Sequence, residues 1–161
     1  MSTAEVVASV VTRSAAETEA LAARFAGALR AGDRVALEGD LGGGKTTFVR
    51  GVARGLGSPH ADETASPTFA LHHRYPGGRL DVDHLDLYRL KAPVDLRREG
   101  LAPVAEDFAS VVLCEWPERL GAPLPGLAYV VRFEMLGEDE RRVVVAARDA
   151  EAAGRMREAL R

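Results

Sequence analysis

The sequence predicts a single α/β domain over residues 1–161, built on a mixed parallel and antiparallel sheet with helices on its faces. A chain of this length suits one compact core, because domains commonly have about 100 to 200 residues. Hydrophobic residues make up 47% and charged residues 28% of the chain, as in ordinary globular proteins. Strand-like and helix-like segments alternate in the first third, whereas paired strand-like segments dominate the remainder. We therefore expect parallel strands near the glycine-rich segment after Glu38 and antiparallel strands elsewhere.

The first third of the chain contains two strand-like segments, each followed by a helical pattern. Ser14 and Glu17 have the spacing of a capping box, which marks the start of the first helix. Gly32 and Gly57 close the two helical patterns. The predicted elements are a strand over Glu5–Val11, a helix from Ser14 to Gly32, a strand over Arg34–Glu38 and a helix whose apolar stripe runs from Phe48 to Leu56.

The remainder of the chain is typical of two antiparallel hairpins and one buried strand. Turn signals at 76–78 and 137–139 separate alternating runs. The apolar phase shifts at His84, which predicts a β-bulge that puts Val82, His84 and Asp86 on one face. The predicted elements are strands over 68–75 and 79–88, a short helix over 95–100, a buried strand over 110–114, strands over 129–135 and 142–147, and a helix from Asp149.

Charge and cysteine content exclude several classes of protein. The net charge of -3 argues against a chain that attracts nucleic acid by overall charge. Cys114 is the only cysteine, so no internal disulfide can form. No apolar run approaches the roughly 20 residues of a membrane-spanning helix, and the N-terminal residues lack a signal-peptide pattern. The expected location is the cytoplasm.

The segment from Gly39 to Thr46 carries the clearest chemical signal of the sequence. It reads Gly-Asp-Leu-Gly-Gly-Gly-Lys-Thr, which fits the P-loop pattern, and it falls between a predicted strand and a predicted helix. Such a loop curls its N–H groups around a polyphosphate at the positive end of a helix dipole. Lys45 would add a charge for the outer phosphates, and the Thr46 hydroxyl would ligate Mg²⁺. The phosphate-binding candidates are Leu41, Gly42, Gly43, Gly44, Lys45, Thr46 and Thr47.

A P-loop enzyme also needs an acidic residue near Mg²⁺, at the end of a neighbouring strand. Asp86 and Glu115 both end predicted strands and are the two candidates. Trp116 follows directly, and its ring could pack on the nucleotide, on a partner or on the core. Cys114, in the same apolar run, is interpreted as a core residue rather than a nucleophile.

The sequence favours ATP over GTP as the nucleotide. Guanine-specific P-loop proteins usually read the base with an Asn-Lys-x-Asp loop, and this chain contains no asparagine. A small-molecule kinase stays open as an alternative, although neither Arg97-Arg98 nor Arg141-Arg142 lies in an obvious lid insertion. A nucleotide-sensing binding module without turnover is a further alternative.

Four motifs in this order resemble the signature of the TsaE (YjeE) family, the ATPase of bacterial threonylcarbamoyladenosine tRNA modification. The resemblance covers residues 5 to 148. The third and fourth motifs are more specific than the P-loop, which many families share. The four motifs are the P-loop Gly39 to Thr47, Ser66-Pro67-Thr68-Phe69, His84-Leu85-Asp86-Leu87-Tyr88-Arg89 and Glu115-Trp116-Pro117.

The resemblance implies a small P-loop fold with a mixed sheet and a set of residue roles. Thr46 and Glu115 would bind Mg²⁺, and Asp86 would support hydrolysis by orienting water or the metal shell. The catalytic set would be Lys45, Asp86 and Glu115. The adenine would lie between Ala15 near the first helix and Gly137 in the late hairpin, whereas the nucleotide contact of Trp116 rests on its position after Glu115 alone. Ser66, Pro67 and Thr68 would form a switch that senses the γ-phosphate.

The resemblance also implies protein partners. Family members act with TsaB and TsaD, and TsaD transfers the threonylcarbamoyl group, so this chain would meet tRNA only indirectly, through the complex. Its ATP hydrolysis would reset the complex between rounds. Because the P-loop argument names no arginine finger within the chain, hydrolysis would be slow alone and faster with partners.

Overall fold

A computed structural model describes residues 4–40, 42–63 and 71–161. Over these residues the chain forms one seven-stranded sheet in the order β1-β7-β6-β2-β5-β4-β3. The strands are β1 (Glu5–Thr12), β2 (Arg34–Glu38), β3 (His72–Tyr75), β4 (Val82–Asp86), β5 (Val111–Glu115), β6 (Leu127–Met135) and β7 (Arg141–Ala147). The helices are α1 (Ala15–Ala26), α2 (Lys45–Gly55), α3 (Ala102–Glu106) and α4 (Ala150–Ala159).

The sheet is mixed in the predicted way. The central strand β2 is parallel to both of its neighbours, β5 and β6, and β4 is parallel to β5. The outer pairs β3–β4, β6–β7 and β1–β7 are antiparallel. Both predicted hairpins are therefore confirmed, and the carboxyl ends of β2, β5 and β4 meet at one edge of the sheet.

Helices α1, α2 and α4 cover one face of the sheet, and α3 together with turns and loops covers the other. The larger core contains buried side chains of α1, α2 and α4, and a smaller cluster on the other face includes Leu87, Leu101, Val112 and Leu124. None of the helices in the described ranges is long and apolar enough to cross a membrane.

The first helix begins where the capping residues predict and ends earlier than predicted. The Glu17 N–H donates to the Ser14 hydroxyl at 3.1 Å, and the Glu17 carboxylate accepts from the Arg13 N–H at 3.2 Å. The helix stops at Ala26, well before Gly32. Two distant guanidinium groups bind the carbonyls at this end: Arg79 donates to Ala26 and Leu29, and Arg155 donates to Ala28. These long-range contacts carry no local sequence signal.

Helices α1 and α2 pack unusually closely. A Cβ atom at Gly51 would lie 2.4 Å from the Glu19 carbonyl oxygen, and one at Gly55 would lie 2.6 Å from the Ala23 carbonyl oxygen. Only glycine fits at these positions, and so α2 can lie directly on the backbone of α1.

Two local predictions are wrong. Residues 96–100 form hydrogen-bonded turns, and the short helix lies at Ala102–Glu106 instead. The Asp95 carboxylate accepts from the Arg97 N–H, and Gly100 adopts a left-handed φ of 74°, which ends the turn. The bulge at His84 is absent, because β4 pairs with β5 without interruption over 82–86. The alternation of apolar residues shifts at His84 because β4 is buried on both faces, so that both sets of alternating positions lie in the core.

Candidate nucleotide-binding site

The glycine-rich loop joins the carboxyl end of β2 to α2 and requires glycine at its two ends. Gly39 has φ 143°, and a Cβ atom there would lie 2.7 Å from the Phe133 carbonyl oxygen. Gly44 has φ 101° and is the N-cap of α2. The first N–H groups of a helix have no partner within it, so the start of α2 offers donors and a positive dipole end. Gly42, Gly43, Thr46 and Thr47 surround this helix start, whereas Leu41 lies outside the described residues.

Lys45 is buried against backbone and an aromatic ring. Its Nζ atom donates to the Gly39 carbonyl oxygen at 2.6 Å and lies 4.1 Å from the centre of the Trp116 ring. Burial lowers the pKa of Lys45, and the carboxylates of Glu115 and Asp86 oppose this shift. The two predicted acids therefore lie within electrostatic range of the P-loop lysine.

Asp86 and Glu115 occupy matching positions at the ends of adjacent parallel strands. They are register partners of β4 and β5, and they are only 3% and 4% exposed. The Tyr88 N–H donates to Oδ1 of Asp86 at 2.9 Å. The structure thus brings Lys45, Thr46, Asp86 and Glu115 together at one edge of the sheet, beyond the carboxyl ends of its strands. Ligands of open α/β sheets commonly bind at this edge.

His84 belongs to the same cluster, although the sequence indicated no role for it. Its Nε2 atom lies 2.6 Å from Oε2 of Glu115, and both side chains are buried. The available signal was the alternation along β4, which puts His84 and Asp86 on one face.

A small cavity lies beside the glycine-rich loop, between the start of α1 and the hairpin of β6 and β7. Its volume is about 150 Å³, and its lining includes Ser14, Ala15, Thr18, Gly42, Gly44, Thr47, Asp139 and Arg141. Arg141 connects the hairpin to the loop: it donates to the carbonyl oxygens of Gly137 and Gly42, both at 3.0 Å. Ala15 and Thr47, two of the residues predicted to contact the nucleotide, line this cavity, and so does Arg141, which the sequence did not indicate.

A larger cavity of about 620 Å³ lies on another side of the loop. Four of its lining residues carry carboxylates, and the one arginine, Arg132, is paired with Glu38 at 2.9 Å. This wall repels a polyphosphate, so the smaller cavity beside Arg141 is the better candidate for a nucleotide. The four acidic residues are Glu38, Asp40, Glu118 and Glu134.

The Trp116 ring lies against Lys45 and the Tyr88 ring, 5.0 Å from the latter, at the lysine end of the site. Trp116 adopts a left-handed φ of 61°, an uncommon conformation for a tryptophan. Ser66, Pro67 and Thr68 lie outside the described residues.

Comparison with known proteins shows the family of the chain. Residues 12–144 match the model of a family described as "Threonylcarbamoyl adenosine biosynthesis protein TsaE". The tRNA threonylcarbamoyladenosine biosynthesis protein TsaE of Bacillus subtilis is 37% identical over 133 residues, which cover 81% of this chain and 80% of that protein. The protein of the same name from Treponema pallidum is 37% identical over 136 residues, which cover 84% of this chain and 98% of that protein.

A solved structure shares the fold. The crystal structure of Bacillus subtilis YdiB superimposes with a TM-score of 0.75 at 28% sequence identity, and the match covers 99% of this chain and 97% of that one. The P-loop between β2 and α2, the mixed sheet and these matches lead to one conclusion: the chain has the P-loop NTPase fold and belongs to the TsaE family.

Proposed function

We propose that this chain is a Mg²⁺-dependent ATPase that acts in the biosynthesis of threonylcarbamoyladenosine in tRNA, together with TsaB and TsaD. One observation carries the hydrolysis proposal: Lys45 of the P-loop is buried and lies within electrostatic range of two buried carboxylates, Asp86 and Glu115. The family match supports the assignment to tRNA modification. Such a role agrees with the cytoplasmic location that the sequence favours.

The phosphates of ATP would bind at the start of α2. The N–H groups of Gly42 to Thr47 and the helix dipole favour an anion there. The Lys45 ammonium, which now donates to the Gly39 carbonyl, would exchange this neutral acceptor for a charged phosphate oxygen. Burial lowers the pKa of Lys45, and a bound anion would oppose this shift because it favours the charged form of the group.

The donor set fits a magnesium ion. The Thr46 hydroxyl and the Glu115 carboxylate provide oxygen ligands, which Mg²⁺ prefers together with waters and substrate phosphates. No cluster of three or more His, Cys, Asp or Glu side chains suited to a metal occurs in the described part of the chain. A site completed by phosphates needs no such cluster. When bound, Mg²⁺ would neutralise charge that develops on the phosphate oxygens.

Asp86 would support the attack of water on the γ-phosphorus. In this reaction a bond forms between the water oxygen and phosphorus, the bond to the bridging oxygen breaks, and ADP leaves. The buried carboxylate would accept a hydrogen bond either from the attacking water or from a water of the metal shell. Lys45 would hold the phosphate oxygens during this step.

The cavity between Ala15 and Arg141 would accept the adenine end of the nucleotide, near Gly137. It is continuous with the glycine-rich loop through Gly42, Gly44 and Thr47. Trp116 would contact the nucleotide from the lysine end of the site. Ser66, Pro67 and Thr68 would act as the switch that couples the γ-phosphate to TsaB and TsaD, and tRNA would be affected only through that complex.

Release of γ-labelled phosphate from ATP tests the proposal. We expect slow release to water by the purified chain with Mg²⁺, and faster release after addition of TsaB, TsaD and tRNA. Lys45→Ala is expected to weaken ATP binding, and Glu115→Ala is expected to lower Mg²⁺-dependent turnover more than ATP affinity. Lys91→Ala is the matched control, because Lys91 is the only other lysine of the chain and is exposed.

Three results would contradict the proposal. Transfer of the label to a small organic acceptor would identify a kinase instead. Tight ATP binding without release of phosphate would identify a nucleotide-sensing module. Full Mg²⁺-dependent turnover in Glu115→Ala would exclude Glu115 as the metal ligand.

A further inference from the structure

The side chains of His84 and Glu115 form a buried pair across two parallel strands. Nε2 of His84 lies 2.6 Å from Oε2 of Glu115, and His84 is fully buried. His84 is two residues before Asp86, the register partner of Glu115, so the three side chains share one face of the sheet. The imidazole is therefore next to the carboxylate of the proposed metal site.

The partners of the imidazole ring define its role in this pair. An ionised carboxylate only accepts hydrogen bonds, so Nε2–H of His84 is the donor. Nδ1 of His84 is buried and has no hydrogen-bond partner among the described residues. A proton at Nδ1 would leave a buried donor unsatisfied, which is costly. The tautomer with its proton on Nε2 avoids this cost and directs the ring's one donor at Glu115.

Packing alone does not account for a histidine at this position. On the same face, Val82 of β4 and Leu113 of β5 belong to the larger apolar core. Buried polar pairs often stabilise a fold no better than apolar side chains of similar volume. A buried donor whose partner is a proposed metal ligand is instead typical of the outer hydrogen bonds that orient metal ligands.

We infer that His84 is a positioning residue for Glu115: the Nε2–H group binds Oε2 and so holds Oε1 for the magnesium ion. This inference rests on the proposed function. Glutamate has three rotatable side-chain bonds, and without this hydrogen bond its carboxylate could turn away from the ion. Loss of such an outer hydrogen bond typically lowers metal affinity by about 10- to 100-fold.

Two substitutions of similar length separate the hydrogen bond from packing. His84→Gln keeps an N–H donor at about the reach of Nε2, whereas His84→Met has no donor. Binding of a fluorescent ADP analogue would be measured in EDTA and then over a Mg²⁺ titration. We expect His84→Met to leave affinity in EDTA within about twofold of wild type and to raise the Mg²⁺ requirement by about tenfold or more. We expect His84→Gln to restore most of the Mg²⁺ dependence.

The control is His73→Gln, the same change at the residue directly opposite His84 on β3. It is expected to leave both measurements unchanged. If His84→Met does not fold by circular dichroism, His84→Leu takes its place. In a Glu115→Ala background, a further His84 substitution is expected to have no additional effect on the Mg²⁺ requirement, because the histidine acts through the glutamate.

The outcomes separate this inference from the proposed function. A wild-type chain whose affinity for the analogue does not respond to Mg²⁺ would overturn both. A normal response in wild type and in His84→Met would overturn the positioning role alone. Equal losses in EDTA and in Mg²⁺ would identify His84 as a structural residue and would also overturn the positioning role.

Discussion

The ammonium nitrogen of Lys45 lies 4.1 Å from the centre of the Trp116 ring, so the P-loop lysine contacts the only tryptophan of the chain. A cation over an aromatic face is held by the negative charge of that face. Phosphate oxygens would compete with both the ring and the Gly39 carbonyl for this cation. The contact therefore links nucleotide binding to the surroundings of a single fluorophore.

We expect Mg²⁺ and ADP to change the fluorescence of Trp116 in a saturable way, because the ammonium leaves the ring for the phosphates. A titration followed by tryptophan emission tests this. Lys45→Ala should abolish the change, and Lys91→Ala should retain it. A constant emission at ADP concentrations that equilibrium dialysis shows to be saturating would mean that the contact persists in the bound state.

The link between Arg141 and Gly42 predicts a nucleotide-affinity defect. Arg141→Ala removes the hydrogen bond at 3.0 Å to the Gly42 carbonyl and frees the hairpin from the loop. Arg141 also lines the cavity proposed for the base, and an exposed contact of a charged group contributes about 1 kcal/mol, so we expect ATP affinity to fall by about fivefold. Affinity for inorganic triphosphate should fall less, because it lacks the base and ribose. Both are measured by calorimetry.

Arg142→Ala is the matched control for this experiment. Arg142 is the next residue, and its Nη1 atom lies 3.0 Å from Glu134 in a partly exposed ion pair. Such pairs contribute about 0–1 kcal/mol to stability and should not affect the nucleotide. Equal losses for the two variants would contradict the role of Arg141.

Because α1 and α2 are in close contact, we expect one methyl group added between them to lower the stability of the fold. In Gly51→Ala the new Cβ would lie 2.4 Å from the Glu19 carbonyl oxygen, so the helices must separate. We expect the free energy of unfolding to fall by about 1–3 kcal/mol, the usual cost of overpacking. Urea denaturation measures this change.

Gly154→Ala is the corresponding control in α4. Nothing lies within 4 Å of a Cβ atom at Gly154, so the added methyl group meets open space. Alanine favours a helix over glycine by about 1 kcal/mol, and this variant should be slightly more stable than wild type. A Gly51→Ala protein as stable as Gly154→Ala would contradict the observed helix contact.

Asp83 predicts a pH dependence of stability. Burial raises the pKa of this carboxyl group, but hydrogen bonds from His72 and Ser110 and the charge of Arg74 outweigh it, so the pKa is lowered from 3.8. Because the folded value is lower than the unfolded one, the stabilisation is present above the unfolded pKa and is lost as the pH falls through the folded value. Asp83 should therefore stabilise the chain at pH 7 and lose this effect in acid.

Urea unfolding of Asp83→Asn at pH 7 and at pH 3 tests whether the stabilisation by Asp83 is lost as the pH falls. We expect the variant to be less stable than wild type by on the order of 1–3 kcal/mol at pH 7, and the difference to shrink at pH 3. Asp62→Asn is the control, because the Asp62 side chain is 85% exposed and its substitution should change stability little. A difference that grows in acid would reverse the assigned direction of the pKa shift.

Local patterns predicted most of the secondary structure and the position of the P-loop. Ser14 and Asp149 cap α1 and α4 through their own side chains, a contact between residues three apart. The turns at 76–78 and 137–139 each join strands that are neighbours in the sheet. Such contacts span a few residues, and their signals are therefore present in the sequence.

Two of the three errors, the end of α1 and the β-bulge at His84, occur where residues distant in the sequence determine the structure. At and just beyond the end of α1, Arg79 and Arg155 bind the carbonyls of Ala26, Ala28 and Leu29 from other parts of the chain. The apparent phase shift in β4 arises because both faces of the sheet are covered there, so both sets of alternating side chains are buried. Neither the distant arginine contacts nor the burial of β4 on both faces can be read from a few consecutive residues of the sequence.

Some residues of the candidate site could be named from the sequence, whereas the contacts between them are visible only in the folded chain. The P-loop pattern singled out Lys45 and Thr46 as candidates, and Asp86 and Glu115 became candidates because magnesium chemistry in such folds uses an acidic residue at a strand end. The pairs His84–Glu115, Lys45–Trp116 and Arg141–Gly42 follow only from the folded chain. Strand β5 lies between β2 and β4, and this order sets which side chains meet at the edge of the sheet. Strand order results from packing across the whole chain, so no local pattern encodes it.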